Sequence, residues 1–385
     1  MVLLAAIDQG TSSSRFLVFE ADTGDLVTSH QIEVRQLFPE PGWVEMDPNE
    51  IIETVKECIV KVVEKLERLG ISPDEIKSIG IANQRGRLLF GTVDTWLIWK
   101  LTGQHVTDVS NASRTLLLDL HKRKWSSQLC NFFEIPANIL PQIKSSAEVY
   151  GTITDGPLKG FPIAGCLGDQ QAALFGPDSP VVYALEGSGS IGGNVVRFLR
   201  DNFNFIKDAS EMEKICRSVE TTEGVIFVPC FTGLYTPYWD PTARGTILGL
   251  TQVTNRAHIC LAALRAVAYQ SAEMIKAVEE DLGDSDLVHT LKTDGGMTAN
   301  MLFNEIQAEI IGKVIKTPKI TEISGWGAAV AGGIGAQQIS IDDFSARDPL
   351  ATTYMPHSDE NRRAADLERW KDAVNRARGW AQSAK

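Results

Sequence analysis

Three short stretches carry residue types that could do chemistry. Asp8-Gln9-Gly10-Thr11-Ser12-Ser13-Ser14-Arg15 sets a carboxylate, a glycine, four hydroxyls and a guanidinium between two apolar runs. Hydroxyls and backbone N–H groups in a glycine turn can bind phosphate oxygens, an aspartate at a strand end can hold Mg2+, and an arginine offsets phosphate charge. The same residues also suit a plain hairpin, so this loop alone reads either way. Gly168-Asp169-Gln170-Gln171 places a carboxylate after an apolar run, where it could serve as general base toward a hydroxyl. Gly295-Gly296-Met297-Thr298-Ala299-Asn300 is a glycine junction before an amphipathic segment, a place where backbone N–H groups can receive an anion or a nucleotide. A fourth stretch, Gly187–Gly192, matches GxGxxG, with Asp208 near the distance of a ribose-binding acid. No clear βαβ repeat follows it, so a tight strand-to-helix turn is the better reading and a nicotinamide cofactor is not expected.

These groups need elements to position them. Apolar residues 2–7 and 15–20 read as strands flanking the first loop, with a third strand near 26–34. Asp47-Pro48-Asn49-Glu50 is a helix start, and Ile52, Val55, Ile59, Val62, Val63 and Leu66 give that helix one apolar face to about Leu69. A buried strand is expected at 76–82, a helix at 93–101 and a strand at 161–167 leading into Asp169. Pro177-Asp178-Ser179-Pro180 breaks the chain, which divides it into domains at 1–176 and 177–385. The second half is expected to hold strands at 181–185, 225–229 and 291–294, and helices at 194–202, 258–281 and up to about Ile311. Gly325–Gly335 is rich in small residues at helical period, the composition of a helix that packs closely on a sheet. Both halves are therefore α/β.

Bulk properties narrow the function classes. A chain of 385 residues exceeds one ordinary core. The net charge of −12 and the lack of a Lys/Arg run argue against a nucleic-acid surface. The six cysteines are scattered without CxxC or zinc spacing, which suits reduced thiols in a cytoplasmic setting. No apolar run approaches the length of a membrane span, and membrane insertion is not expected. Asn111-Ala112-Ser113 matches a glycosylation acceptor, a pattern without weight unless a chain is secreted.

Taken in order, AAIDQGTSSSRFLVF, PGWVEMDP, GIANQR, GTVDTWLIWKLTG, VTDVSNASRT, GDQQAAL, ALEGS, FVPCFTGLYTPYWDPTARGTILGLTQVTN and DGGMTANMLF resemble the glycerol kinase branch of the FGGY carbohydrate kinases. The resemblance covers essentially the whole chain. It implies a two-domain actin/hexokinase-like fold of ribonuclease H-like architecture, with ATP, Mg2+ and glycerol in an interdomain cleft. It implies that Asp8 lies beside the phosphates and the metal, and that Thr11, Ser12, Ser13 and Arg15 contact nucleotide phosphates. Asp169 resembles the base that deprotonates the attacking hydroxyl. Gln170 resembles the residue that holds the polyol with it, and Arg85 the arginine that grips two polyol hydroxyls. Gly193 and Arg197 fall at nucleotide-contact positions, the second being often Gln in the family; Gly295, Gly296 and Asn300 resemble the adenosine-side contacts. A cytoplasmic enzyme is implied, with mitochondrial association and a homodimer left open.

Two departures stand out. In the family the arginine of NQR is followed by a polyol-binding Glu, whereas here Arg85 is followed by Gly86 and the chain passes directly to RLLFGTVDTWL. After GDQQAALFG the family continues into a phosphate-binding Gly-Thr-Gly loop, whereas here Gly176 passes to PDSPVVYALEG. Both joins are abrupt between closely matching flanks. Two expectations follow: an ATP-dependent glycerol kinase with Asp169 as base, or a catalytically impaired kinase-like chain that lacks part of the polyol pocket and one phosphate clamp.

Overall fold

The computed structural model describes residues 2–40, 44–83, 91–173, 186–284, 287–318, 322–340 and 351–381. It divides into two units: Met1–Pro180 with Glu322–Asp348, and Val181–Thr321 with Pro349–Lys385.

In the first unit, β1 (Leu3–Gln9), β2 (Ser13–Glu20) and β3 (Leu26–Glu33) form an antiparallel meander. Helix α1 (Pro48–Arg68) starts as its sequence dictates: Asp47 Oδ1 accepts from the Asn49 N–H at 2.8 Å and Pro48 occupies the first turn. Its buried stripe includes Ile52, Val55, Ile59, Val62 and Leu66. Strand β4 (Ile76–Asn83) then runs parallel to β1. The crossover from β4 holds α2 (Val93–Thr102), β5 (Val106–Asp108), α3 (Val109–Ala112), β6 (Leu118–Asp119), β7 (Lys124–Trp125), α4 (Ser127–Phe132), β8 (Gln142–Lys144) and β9 (Gly151–Thr152). It leads to β10 (Pro162–Gly168), parallel to β4, and to the short helix α5 (Asp169–Ala173). The main sheet has the order β3-β2-β1-β4-β10-β9, while β5 pairs with β8 and β6 with β7.

The second unit holds α6 (Asn194–Asp201), α7 (Glu211–Cys216), β11 (Ile226–Val228), β12 (Thr246–Leu248) and the long α8 (Arg256–Leu282). Asn255 caps α8 in a box: its side chain accepts from the Ala257 N–H at 2.9 Å, and its own N–H donates to His258 Nδ1 at 3.1 Å. Next come β13 (Thr290–Lys292), α9 (Met301–Ile311) and β14 (Val314–Pro318). After α10 (Ile323–Gly335), which belongs to the first unit, β15 (Ala351–Tyr354) and α11 (Glu360–Ala377) complete the second. Its described strands pair as β11–β12 and β13–β14–β15. Val195, Leu199, Phe227, Leu264 and Phe303 are buried in one cluster, and Trp370 of α11 stacks on Tyr269 at 5.2 Å in another. The sequence reading includes neither β14 and β15 nor α11, and the strand it expects at 181–185 lies outside the described residues.

The division expected between 176 and 177 also lies outside the described residues, and the units add a feature that the linear division lacks: Glu322–Asp348 belongs to the first. The reason is steric. A Cβ on Gly80 of β4 would lie 1.7 Å from Ala328 O, and one on Gly165 of β10 would lie 2.4 Å from Gly332 N. Helix α10 thus lies backbone to backbone on the sheet, an approach only glycine allows. It covers the face that carries Leu4 and Leu17, while α1 covers the face of Leu3, Ile7, Phe16 and Val18, as the period-two alternation of strands requires. Among the described residues, no helix is long and apolar enough to cross a membrane.

Candidate active site

Because β1, β4 and β10 are parallel and adjacent, their C-terminal ends share one sheet edge. Gln9 stands beside Asn83, and Asn83 beside Gly168. The first loop therefore opens at the same edge as Asp169. Two strand spacings, about 10 Å, separate the end of β1 from that of β10. Ligands of open α/β sheets bind beyond the carboxyl ends of strands, because backbone N–H groups and helix starts converge there.

The first loop is a tight connection between paired strands, closed by Gly10 N–H donating to Ser13 O at 2.9 Å. Thr11 is exposed, Ser12 half-buried and Ser13 buried. Asp8 and Arg15 are a cross-strand pair, with Arg15 Nη1 3.5 Å from Asp8 Oδ2. The same Nη1 also donates to the carboxylate of Glu322, which precedes α10. That partner escapes sequence reading, since 307 positions separate the two residues. Arg15 Nε is buried without a hydrogen-bond acceptor. A guanidinium carrying an unused buried donor, beside a carboxylate at a strand end, fits a phosphate with its metal.

Asp169 is the first residue of α5 and half-buried, and its Oδ1 accepts from the Gln170 N–H at 2.8 Å. Gln170 is exposed. Arg85 lies outside the described residues, as do the two joins at Arg85–Gly86 and Gly176–Pro177.

Beneath this edge lies a polar group that the sequence reading does not single out. Asp94 of α2, Asp108 of β5, Asn111 of α3 and Asn83 of β4 are all fully buried. Asp108 Oδ1 accepts from Asn111 N–H and Nδ2 at 2.9 and 2.7 Å, and its Oδ2 from Ser110 N–H and Ser146 Oγ, both at 2.8 Å. Asp94 Oδ2 accepts from Thr107 Oγ1 at 2.6 Å, while its Oδ1 has no hydrogen-bond partner. Burial, reinforced by the charge of Asp108, pushes the Asp94 carboxyl up to about 6. Burial also raises Asp108, against the hydrogen bonds it accepts. The Cys166 thiol is raised well above its usual range by burial and by both carboxylates. Oxygens of these two aspartates and Cys166 Sγ lie within 4.8 Å of one another, a spacing a cation could use. Asp108 already accepts four hydrogen bonds and Cys166 donates to Asp94 at 3.7 Å, so a retained proton satisfies the group better.

In the second unit the expected nucleotide residues fall at two helix starts. Gly193 immediately precedes α6, and a Cβ there would lie 3.6 Å from Met297 Cγ. The junction Gly295–Asn300 is therefore brought against Gly193. Gly295 has φ +90°, and added Cβ atoms on Gly295 or Gly296 would meet nothing within 4 Å. Asn300 caps α9, its Oδ1 accepting from Phe303 N–H at 3.1 Å. Arg197 pairs with Asp201 at 3.4 Å one turn along α6. In the GxGxxG stretch, Gly187 and Gly189 are not part of a strand, and Asp208 is spent on Ser210, accepting from its hydroxyl at 2.6 Å.

The chain matches the N-terminal domain of the FGGY family of carbohydrate kinases over residues 3–89 and 87–176, and the C-terminal domain of that family over 163–336. It is 58% identical to a probable glycerol kinase of Caenorhabditis elegans, covering 99% of this chain and 100% of that one. It is 34% identical to a glycerol kinase of Nocardia farcinica, covering 98% and 99%. The structure of Plasmodium falciparum glycerol kinase with ADP superposes with a TM-score of 0.74 at 27% identity, covering 98% of each chain. The Caenorhabditis alignment spans 502 positions against 385 residues here, so at least 117 positions of it have no counterpart in this chain. The N-terminal match comes in two pieces that meet at 87–89, beside the first of the two joins.

Proposed function

Since the chain belongs to the FGGY family of carbohydrate kinases, we propose that it transfers the γ-phosphoryl group of ATP to glycerol, giving glycerol 3-phosphate and ADP. The observation that carries this reading is the shared edge of β1, β4 and β10, with the Asp8–Arg15 loop and Asp169 at the ends of two of those strands. Asp169 takes the proton from a glycerol hydroxyl as that oxygen attacks phosphorus. A bond to the glycerol oxygen forms and the bond from the γ-phosphorus to ADP breaks, which is largely a matter of alignment and charge neutralisation. Arg85 and Gln170 hold the polyol. Thr11, Ser12, Ser13 and Arg15 hold phosphate oxygens, and Asp8 would hold Mg2+, which supplies neutralisation of phosphate charge. Gly193, Arg197, Gly295, Gly296 and Asn300 receive the nucleoside. The open space at Gly295 and Gly296 supports that assignment, since a nucleotide can approach the backbone there.

ATP-dependent glycerol 3-phosphate formation by the purified chain tests the reading. Asp169→Ala is expected to lower kcat by about 10²–10⁴ while leaving the fold unchanged by circular dichroism. A folded parent chain without turnover would overturn the assignment and leave a kinase-like protein without catalysis.

A further inference from the structure

The base proposed above, Asp169, sits one residue beyond the end of β10, which lies beside the end of β4. Strand ends are where ladder hydrogen bonds run out, so something else must hold them. Both ends are held by the same four-residue helix, α3. Gly168 N–H donates to Ser110 Oγ at 2.9 Å. Asn83 and Asn111 exchange side-chain amide hydrogen bonds, Asn83 Nδ2 to Asn111 Oδ1 at 3.1 Å and Asn111 Nδ2 to Asn83 Oδ1 at 3.3 Å. Asn83 and Gly168 are themselves register partners. Helix α3 is in turn fixed by Asp108, which binds the backbone N–H groups of both Ser110 and Asn111.

We propose that Ser110 and Asn111 are positioning residues for phosphoryl transfer. Ser110 sets the place of Asp169 through Gly168, and Asn111 holds the neighbouring strand end at Asn83, the register partner of Gly168. The inference rests on the reading of Asp169 as base. Its chemical basis is that proton transfer and in-line attack tolerate little displacement, a shift of about 1 Å costing on the order of 10²-fold in rate.

The test is steady-state kinetics per folded molecule on the full chain, with amide exchange followed at Gly168. Ser110→Ala is expected to lower kcat at least tenfold, leave KM for ATP unchanged and speed exchange at Gly168. Ser110→Thr, which keeps the hydroxyl, is expected to restore most of both. Asn111→Ala, which frees Asn83 beside Gly168, is expected to lower kcat by less than Ser110→Ala does and to leave KM for ATP unchanged. Should the alanine variant at 110 fail to fold, Ser110→Cys keeps the bulk while weakening the acceptor, with the same outcomes expected in milder form. Parental kcat in Ser110→Ala, or a loss that Ser110→Thr does not restore, overturns the inference alone, provided Asp169→Ala is inactive. If Asp169→Ala turns over like the parent, or the parent is inactive, the reading of the site fails and takes this inference with it.

Discussion

In the first unit Asp94 and Asp108 are buried within reach of each other, and one oxygen of Asp94 has no partner. In the second unit Glu273 is buried without a carboxylate neighbour of that kind among the described residues, and both its oxygens are used: one accepts from the Tyr238 hydroxyl, the other from Trp370 Nε1 at 2.8 Å. Burial raises the carboxyl of Glu273, and these two donors pull it back. A carboxylate met by neutral donors ties elements together, here α8 to α11 and to the loop around Tyr238. A carboxylate set against another carboxylate holds a proton beyond its usual range and stays sensitive to pH. The first arrangement suits pure structure. The second lies directly beneath the edge that carries Asp169.

Three substitutions break or sharpen this contrast. Glu273→Ala strands a half-buried hydroxyl and a buried indole N–H, and should cost about 4 kcal/mol in urea unfolding. Asp94→Asn should act through pH. The folded carboxyl of Asp94 is raised from 3.8 to about 6, so the folded state takes up a proton that the unfolded chain has already lost. Stability from this group is complete below pH 4 and falls as pH rises toward 6. Asp94→Asn abolishes that loss. Its stability relative to the parent should therefore improve by about 3 kcal/mol between pH 4 and pH 7, read from urea midpoints. A flat difference across that range would mean that Asp94 is ionised throughout. Tyr238→Phe removes one of two donors to Glu273 and should cost about 1.5 kcal/mol. The cost should be larger at pH 8 than at pH 4, since only the ionised carboxylate needs the lost donor.

Local pattern made part of this legible in the sequence. The Asp8–Arg15 turn, the capped helix from Pro48 and the strand running into Asp169 are short-range features, set by residues a few positions apart. The close packing of Gly325–Gly335 on a sheet was legible too, because small residues at helical period have little other use. What was not legible depends on distant pairings. Nothing near Arg15 announces Glu322, and nothing near Asn83 announces Asn111. The glycosylation-acceptor pattern at Asn111 points outward, whereas its side chain is fully buried. Strands β14 (VIKTP) and β15 (ATTY) are short and interrupted by threonine, so their hydrophobic period is weak; α11 is polar on most of its surface, and two of the four residues in its buried stripe, Trp370, Ala373, Val374 and Ala377, are alanines.

The seating of α10 on Gly80 and Gly165 also bears on how the chain is made. A ribosome delivers β1 to α5 early, then most of the second unit, and only afterwards the helix that covers the face of Leu4 and Leu17. Until residue 335 has left the exit tunnel, the first unit's sheet waits with one apolar side uncovered, and the second unit has the earlier opportunity to fold. The nascent chain therefore carries its greatest exposure to aggregation and chaperone capture in the part that holds the proposed base, and release from that state coincides with the arrival of Glu322 beside Arg15.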